Sequence, residues 1–237
     1  MLDYCFKRLG AFANLSSEEK TVLERAIDRE EKYERGEDII SEGDEPTRIH
    51  IIYQGWASRY KLLENGREHI VAYLIPGDIC DIHVTLLKRM DHSIRAETPI
   101  VIGTISEKSI NHILREYPNL ARALFLSMMI DESIAREWLI NLAGRSGEVR
   151  VAHFFCEMLL RSKAAGLAKD DAFHLPVNQI RLSEAIGMTP VHANRVIQSL
   201  RAQGLITMRN KTVEIPDWER LKAYAGFSDT YLHMRFL

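Results

Sequence analysis

The sequence predicts an α+β fold in three parts: an N-terminal antiparallel β-barrel or β-roll, one long helix, and a C-terminal winged helix-turn-helix. Three observations carry the prediction. Residues 33–106 alternate short β-type runs with turn residues, residues 119–143 keep a helical period with apolar side chains on two sides, and residues 182–215 read as helix, tight turn, helix and hairpin. The boundaries that follow are 1–118 for the roll, 119–144 for the long helix and its hinge, and 145–237 for the C-terminal module. With 237 residues, 46% of them apolar, the chain can build a core in each of two modest domains.

In chain order, Ser16 followed by Glu19 is a capping box, and Val22, Leu23, Ala26 and Ile27 continue at helical spacing. Short strands follow: Ile39-Ile40, then Ile49 to Tyr53, then Trp56 to Leu63, separated by Glu42-Gly43-Asp44 and Gln54-Gly55. Asn65-Gly66 marks a tight hairpin turn before His69 to Leu74, because both residue types tolerate positive φ. Pro76-Gly77-Asp78 makes the next corner, Asp81 to Lys88 is expected to form one or two helical turns capped by Asp81, and Ile94 to Ile105 closes the roll.

Past Pro118, Leu120, Leu124, Ser127, Asp131, Ile134, Trp138 and Asn141 recur by four and three, and the opposite side holds Phe125, Met128, Met129, Leu139 and Leu142. A helix apolar on two faces has two things to bury against, its own domain and a second copy of the chain. The seam with that copy is expected to cover Leu124, Ile134 and Trp138. Gly144 and Gly147 interrupt the run and make residues 143–147 a hinge.

The stretch Leu182 to Leu200 carries the most information. Gly187 can end a first helix in the left-handed conformation, Thr189 can cap a second, and Pro190 suits a first helical turn. In the second helix, expected over 189–203, Ala193, Val196, Ile197 and Leu200 form an apolar stripe, while Val191, His192, Asn194, Arg195 and Gln198 lie off it. Arginine forks onto guanine O6 and N7, and asparagine or glutamine onto adenine N6 and N7, so this face has the chemistry of a major-groove reader. Arg209-Asn210-Lys211 then tips a small hairpin, the wing. Charge agrees: residues 145–237 sum to +4 and residues 1–144 to −6. The candidate DNA-binding residues are therefore Thr189, Pro190, Val191, His192, Asn194, Arg195, Gln198, Arg209 and Lys211.

This order of parts resembles the CRP/FNR family of bacterial transcription regulators over nearly the whole chain. The resemblance is carried by Arg35-Gly36-Glu37, Glu42-Gly43-Asp44, Pro76-Gly77-Asp78, Ile94-Arg95-Ala96-Glu97-Thr98 and Leu182 to Ile206. It implies that the N-terminal part is a cyclic-nucleotide-binding-like antiparallel β-roll (a double-stranded β-helix), followed by a long dimerisation helix, in a homodimer that binds inverted-repeat duplex DNA, with RNA polymerase as a further partner. Arg195 matches the family's readout arginine. Pro190-Val191 stands where other members present a glutamate, which exchanges an acceptor for cytosine N4 against contact with a thymine methyl.

The effector is less well marked. Members that bind cyclic AMP carry Gly-Glu and Arg-Ser pairs around the short helix, and here those positions become Cys80-Asp81 and about Met90-Asp91. A carboxylate in place of a guanidinium repels a cyclic phosphate, so cyclic AMP is not expected, although a shifted register could use Lys88 or Arg89. Three Cys cannot supply four thiolates for an iron–sulfur cluster, and Cys5 stands alone near the N-terminus. Haem would need His83 or His92, and neither stands in a ligand pattern. The candidate effector pocket is drawn from Cys80, Asp81, His83, Lys88, Arg89 and His92, with the effector unidentified or absent and no metal ligand assigned. Cys80 has no adjacent cation to lower its pKa and reads as a packing residue.

The functional expectation is a sequence-specific DNA-binding regulator, and not an enzyme. No nucleophile elbow, phosphate loop or metal-ligand spacing surrounds Asp81, His83 and His92. The alternative is a cyclic-nucleotide-binding-like module that acts through protein partners. No apolar run reaches the roughly 18 residues of a membrane span and Met1 to Arg8 does not read as a signal peptide, so a cytoplasmic protein without a membrane partner is expected.

Overall fold

The computed structural model describes residues 2–80, 82, 86 and 88–234. Two short helices, α1 (Asp3–Gly10) and α2 (Ser17–Ala26), precede the roll. The Ser16 capping box forms: its hydroxyl accepts from the Glu19 amide at 3.1 Å, and the Glu19 carboxylate accepts from the Ser16 amide at 2.8 Å. Ile27, placed on the helix by its spacing, instead opens β1 (Ile27–Tyr33), where it pairs with Ile105. Tertiary pairing of a β-branched residue outweighs its local period.

The roll has two four-stranded antiparallel sheets. β1 lies beside β8 (Ile100–Ser106), β3 (Arg48–Gln54) and β6 (Ile79–Cys80), while β2 (Asp38–Ile40) lies beside β7 (Ser93–Ala96), β4 (Ala57–Leu62) and β5 (Glu68–Leu74). Ile52, Ala57, Leu74, Cys80, Ile94, Ala96, Ile100 and Ile102 form a buried cluster of their own. In the β4–β5 hairpin only Gly66 of the Asn-Gly pair takes positive φ (+76°), and Leu63 pairs with Arg67 across a three-residue loop. At the Pro76-Gly77-Asp78 corner, φ of +96° and the Tyr4 carbonyl 2.7 Å from where a Cβ would stand both require Gly77. The helical turn expected from Asp81 to Lys88 falls largely outside the described residues.

After α3 (Glu107–Glu116), α4 (Pro118–Gly144) runs 27 residues, about 40 Å at 1.5 Å per residue. Leu124, Ile134 and Trp138 are 1%, 5% and 7% exposed, so they are already covered within the chain and do not form the seam expected of them. Their partners are in the same chain. The Trp138 ring sits 6.4 Å from Tyr73 of β5 and 6.1 Å from Phe154, and its indole N–H donates to Glu157 at 3.0 Å. The face left open is the opposite one, with Phe125 at 48%, Met129 at 51%, Leu139 at 66% and Ile140 at 53%.

The helix that takes up Trp138 is α5 (Gly147–Ala165), buried without a break from Val151 to Ser162. Its charged residues are matched inside. Arg161 donates to the Tyr73 carbonyl and to Asp78, each at 2.9 Å, while Arg8 pairs with both Asp78 and Asp131, and Arg59 reaches Asp131 at 3.3 Å. Roll, α1, α4 and α5 thus share one ion-paired and aromatic centre. The C-terminal module follows: β9 (Ala172–His174), α6 (Gln179–Ala185), α7 (Pro190–Ala202), the hairpin β10 (Thr207–Arg209) and β11 (Thr212–Glu214), and α8 (Trp218–Ala225).

Candidate nucleic-acid interface

The turn between α6 and α7 is built from small local choices. Gly187 takes φ of +63°, and a Cβ there would stand 2.9 Å from the Leu142 side chain of α4. The Thr189 hydroxyl accepts from the His192 amide at 3.2 Å, and Pro190 occupies the first helical turn, where its missing N–H has no partner to lose. Ala193, Val196, Ile197 and Leu200 of α7 are buried, as their stripe requires.

The other side of α7 faces solvent. Val191 is 72% exposed, and His192, Asn194, Arg195 and Gln198 are exposed beside it. The Asn194 carbonyl oxygen accepts from Gln179 at 3.4 Å and that of Gln198 from Arg201 at 3.1 Å, contacts long or exposed enough to exchange for base edges. His192 leans toward the hinge: its Nε2 would be 2.9 Å from a Cβ on Gly147. Asn210 and Lys211 take positive φ at the wing tip, so Arg209 and Lys211 project at the end of a two-stranded ribbon. The exposed side of α7 thus offers guanidinium and amide groups, and the wing tip guanidinium and ammonium.

Two residues that tie the helices around this turn to the rest of the chain carried no sequence signal. Arg150 of α5 donates to four carbonyls: Asn141, Leu142 and Arg145 at the end of α4, and Ile186 at the end of α6, at 2.8–3.1 Å. A cation suits carbonyls left unpaired at helix C-termini. Burial nonetheless lowers the Arg150 pKa from its ordinary value. Arg181 of α6 reaches the roll. It donates to Glu97 through Nε at 2.9 and 3.1 Å and through Nη2 at 2.6 Å, to Glu68 at 2.6 Å, to Glu184 at 2.7 Å and to Ser58 at 3.3 Å. Burial works against its charge, but the Glu97 and Glu68 carboxylates hold its pKa above the ordinary range.

The described residues among those singled out in the roll differ in setting. Cys80 is in the buried apolar cluster, Lys88 and Arg89 are exposed, and His92 contacts the Asp91 carboxylate at 2.7 Å. Asp81 and His83 lie outside the described residues. Among the described residues, no helix is long and apolar enough to cross a membrane.

A winged helix-turn-helix hung from a β-roll by a long helix defines a class of DNA-binding regulators, and the comparisons agree. Residues 30–117 match the model of the cyclic nucleotide-binding domain and residues 149–224 that of the Crp-like helix-turn-helix domain. The chain belongs to the CRP/FNR family of transcription regulators. It is 25% identical over 219 residues to the transcriptional activator protein FnrL of Cereibacter sphaeroides, covering 90% of this chain and 87% of FnrL. It is 27% identical over 203 residues to the nitrogen fixation regulation protein FixK of Bradyrhizobium diazoefficiens, covering 84% of this chain and 83% of FixK. Among solved structures, FixK2 from Bradyrhizobium japonicum superposes with a TM-score of 0.76 at 21% identity, covering 84% of this chain and 98% of that one.

Proposed function

We propose that the protein acts as a homodimer on inverted-repeat duplex DNA, each protomer placing α7 in a major groove with Arg195 as the principal base reader. The observation that carries this is the exposed face of α7, where Arg195 stands between Asn194 and Gln198. Val191 supplies apolar contact for a thymine methyl, His192 and the Thr189-Pro190 start of the helix complete the surface, and Arg209 and Lys211 take phosphate. The open face of α4 supports the dimer: Phe125, Met129, Glu132, Arg136, Leu139 and Ala143 recur by four and three, with Glu132 and Arg136 paired at 2.6 Å midway. FnrL is named a transcriptional activator, and on that likeness RNA polymerase is proposed as a further partner.

The same proposal gives the roll no cyclic nucleotide of the usual kind, no iron–sulfur cluster and no haem. Where the resemblance expects an Arg-Ser pair for the cyclic phosphate stand Met90 and Asp91: a guanidinium is missing, and the His92 ring holds the Asp91 carboxyl below its ordinary pKa, so the pair presents negative charge instead. The three thiols of the chain, all buried, fall short of a four-thiolate set.

The test is anisotropy of a labelled mixed-sequence duplex against salt. Two wing cations in each of two protomers make about four phosphate contacts, so affinity is expected to fall on the order of a hundredfold between 50 and 200 mM salt. Salt-independent or absent binding overturns the reading and favours a module that works through protein partners.

A further inference from the structure

We propose that Arg181 is a positioning residue that sets which half-site spacing the dimer accepts, by clamping α6 to the roll. The inference rests on the homodimer reading and extends it. The clamp joins elements 84 and 113 positions apart in sequence: the Arg181 guanidinium meets Glu97 and Ser58, both buried in the roll, and Glu68 at the start of β5. Glu68 also pairs with Arg95, which is held by Asp38 at 2.7 Å and stacks on the Tyr60 ring at 4.4 Å. The anchor on the roll is therefore itself braced from β2, β4 and β7.

Orientation needs two fixed points. Arg150 fixes the C-terminal end of α6 through the Ile186 carbonyl, while the buried Leu182 and Ala185 add apolar packing that is not directional. Arg181, about 7 Å earlier along the helix axis, supplies the second. The roll is in turn tied to α4 by Arg59–Asp131, by Arg8 of α1 bridging Asp78 and Asp131, and by the Tyr73–Trp138 ring contact. A rigid path thus runs from the open face of α4 through the roll to α6, and Gly187 passes it on to α7. The clamp leaves the reading face clear, since Val191, Asn194, Arg195 and Gln198 stay exposed with Arg181 engaged. Its effect is preorganisation: two recognition helices held about one DNA turn apart before binding.

Losing the clamp should then penalise sites that need both helices at once and spare a single half-site. Full-length wild type, Glu97→Gln and Arg181→Gln would be measured on an inverted repeat selected by the wild type, on the same repeat with one or two base pairs inserted or removed, and on one half-site. Glu97→Gln is the cleaner variant, because Glu97 belongs to the roll and is nearly isosteric with its replacement; circular dichroism verifies folding. The wild type should prefer one spacing by about tenfold or more. Both variants should lose about tenfold on that spacing, accept the altered spacings nearly as well, and keep half-site affinity within about twofold. A folded Glu97→Gln protein with the wild-type spacing preference overturns the proposal, and so does an equal loss on half-sites and full sites. A wild type that is monomeric and indifferent to spacing overturns the homodimer reading and the clamp together.

Discussion

Leu139→Ala separates the two faces of α4. Leu139 is 66% exposed in the protomer, and full burial of such a side chain is worth about 1.5–3 kcal/mol, so about two thirds of that, roughly 1–2 kcal/mol, is left for a partner to recover. Two-fold symmetry counts it twice. The dimer should weaken by about 2–4 kcal/mol, about 30- to 1000-fold in dissociation constant. Sedimentation equilibrium over a concentration series reads this directly, and the chemical stability of the protomer should not change, because alanine suits an exposed helical position at least as well as leucine. Ile134→Ala, on the buried face, should do the reverse and cost about 2–5 kcal/mol of folding stability through the cavity it leaves. The reasoning fails if Leu139→Ala leaves dimerisation unchanged.

Lys211→Ala at the wing should lower affinity for all duplexes alike and reduce the slope of log K against log salt by about one per contact removed; a change of sequence preference instead would make Lys211 a base reader. His153 gives a pH signature. Burial pushes its pKa down to about 3, assisted by Arg145, which holds Glu137 at 2.6 Å. The unfolded imidazole binds a proton below about 6.5 and the folded one does not, so stability should fall as pH drops from about 6.5 toward 3, by up to about 1.4 kcal/mol per pH unit. Denaturant midpoints at several pH values should show a shallower decline in His153→Gln, and an identical decline would remove His153 as the cause. Cys5, Cys80 and Cys156 are all buried, and burial pushes the Cys5 and Cys156 thiols up to about 12. A disulfide reagent should label none of the three rapidly in the native protein and all three after denaturation; one fast native thiol would contradict the packing.

Local signals were the legible ones. The Ser16–Glu19 box, the Gly187-Thr189-Pro190 turn and the wing hairpin each depend on residues within four positions of one another, and each is present. The exposed face of α7 was legible for the same reason, since its apolar stripe identifies its exposed side. The inward face of α4 was not. Both faces carry apolar residues, Ile134 and Trp138 on one and Phe125 and Leu139 on the other, and the choice is made by Tyr73, Phe154 and Glu157 from other elements. Burial of α5 on all sides erases the polar–apolar period that would have outlined it. Arg150 and Arg181 were invisible in sequence because an arginine's partners, here up to 123 positions away, leave no local mark.

The most direct test of the account is selection of binding sites from random duplexes by wild type and Arg195→Ala, run in parallel. The wild type should return an inverted repeat with half-sites about 10 base pairs apart, centre to centre. Arg195→Ala should bind that repeat about 1–3 kcal/mol more weakly and lose preference at one symmetric position in each half-site, with the rest of the pattern kept. An Arg195→Ala protein that selects the same sequence as the wild type, or a wild type that selects no repeat, would contradict the assignment of α7 as the DNA-reading element.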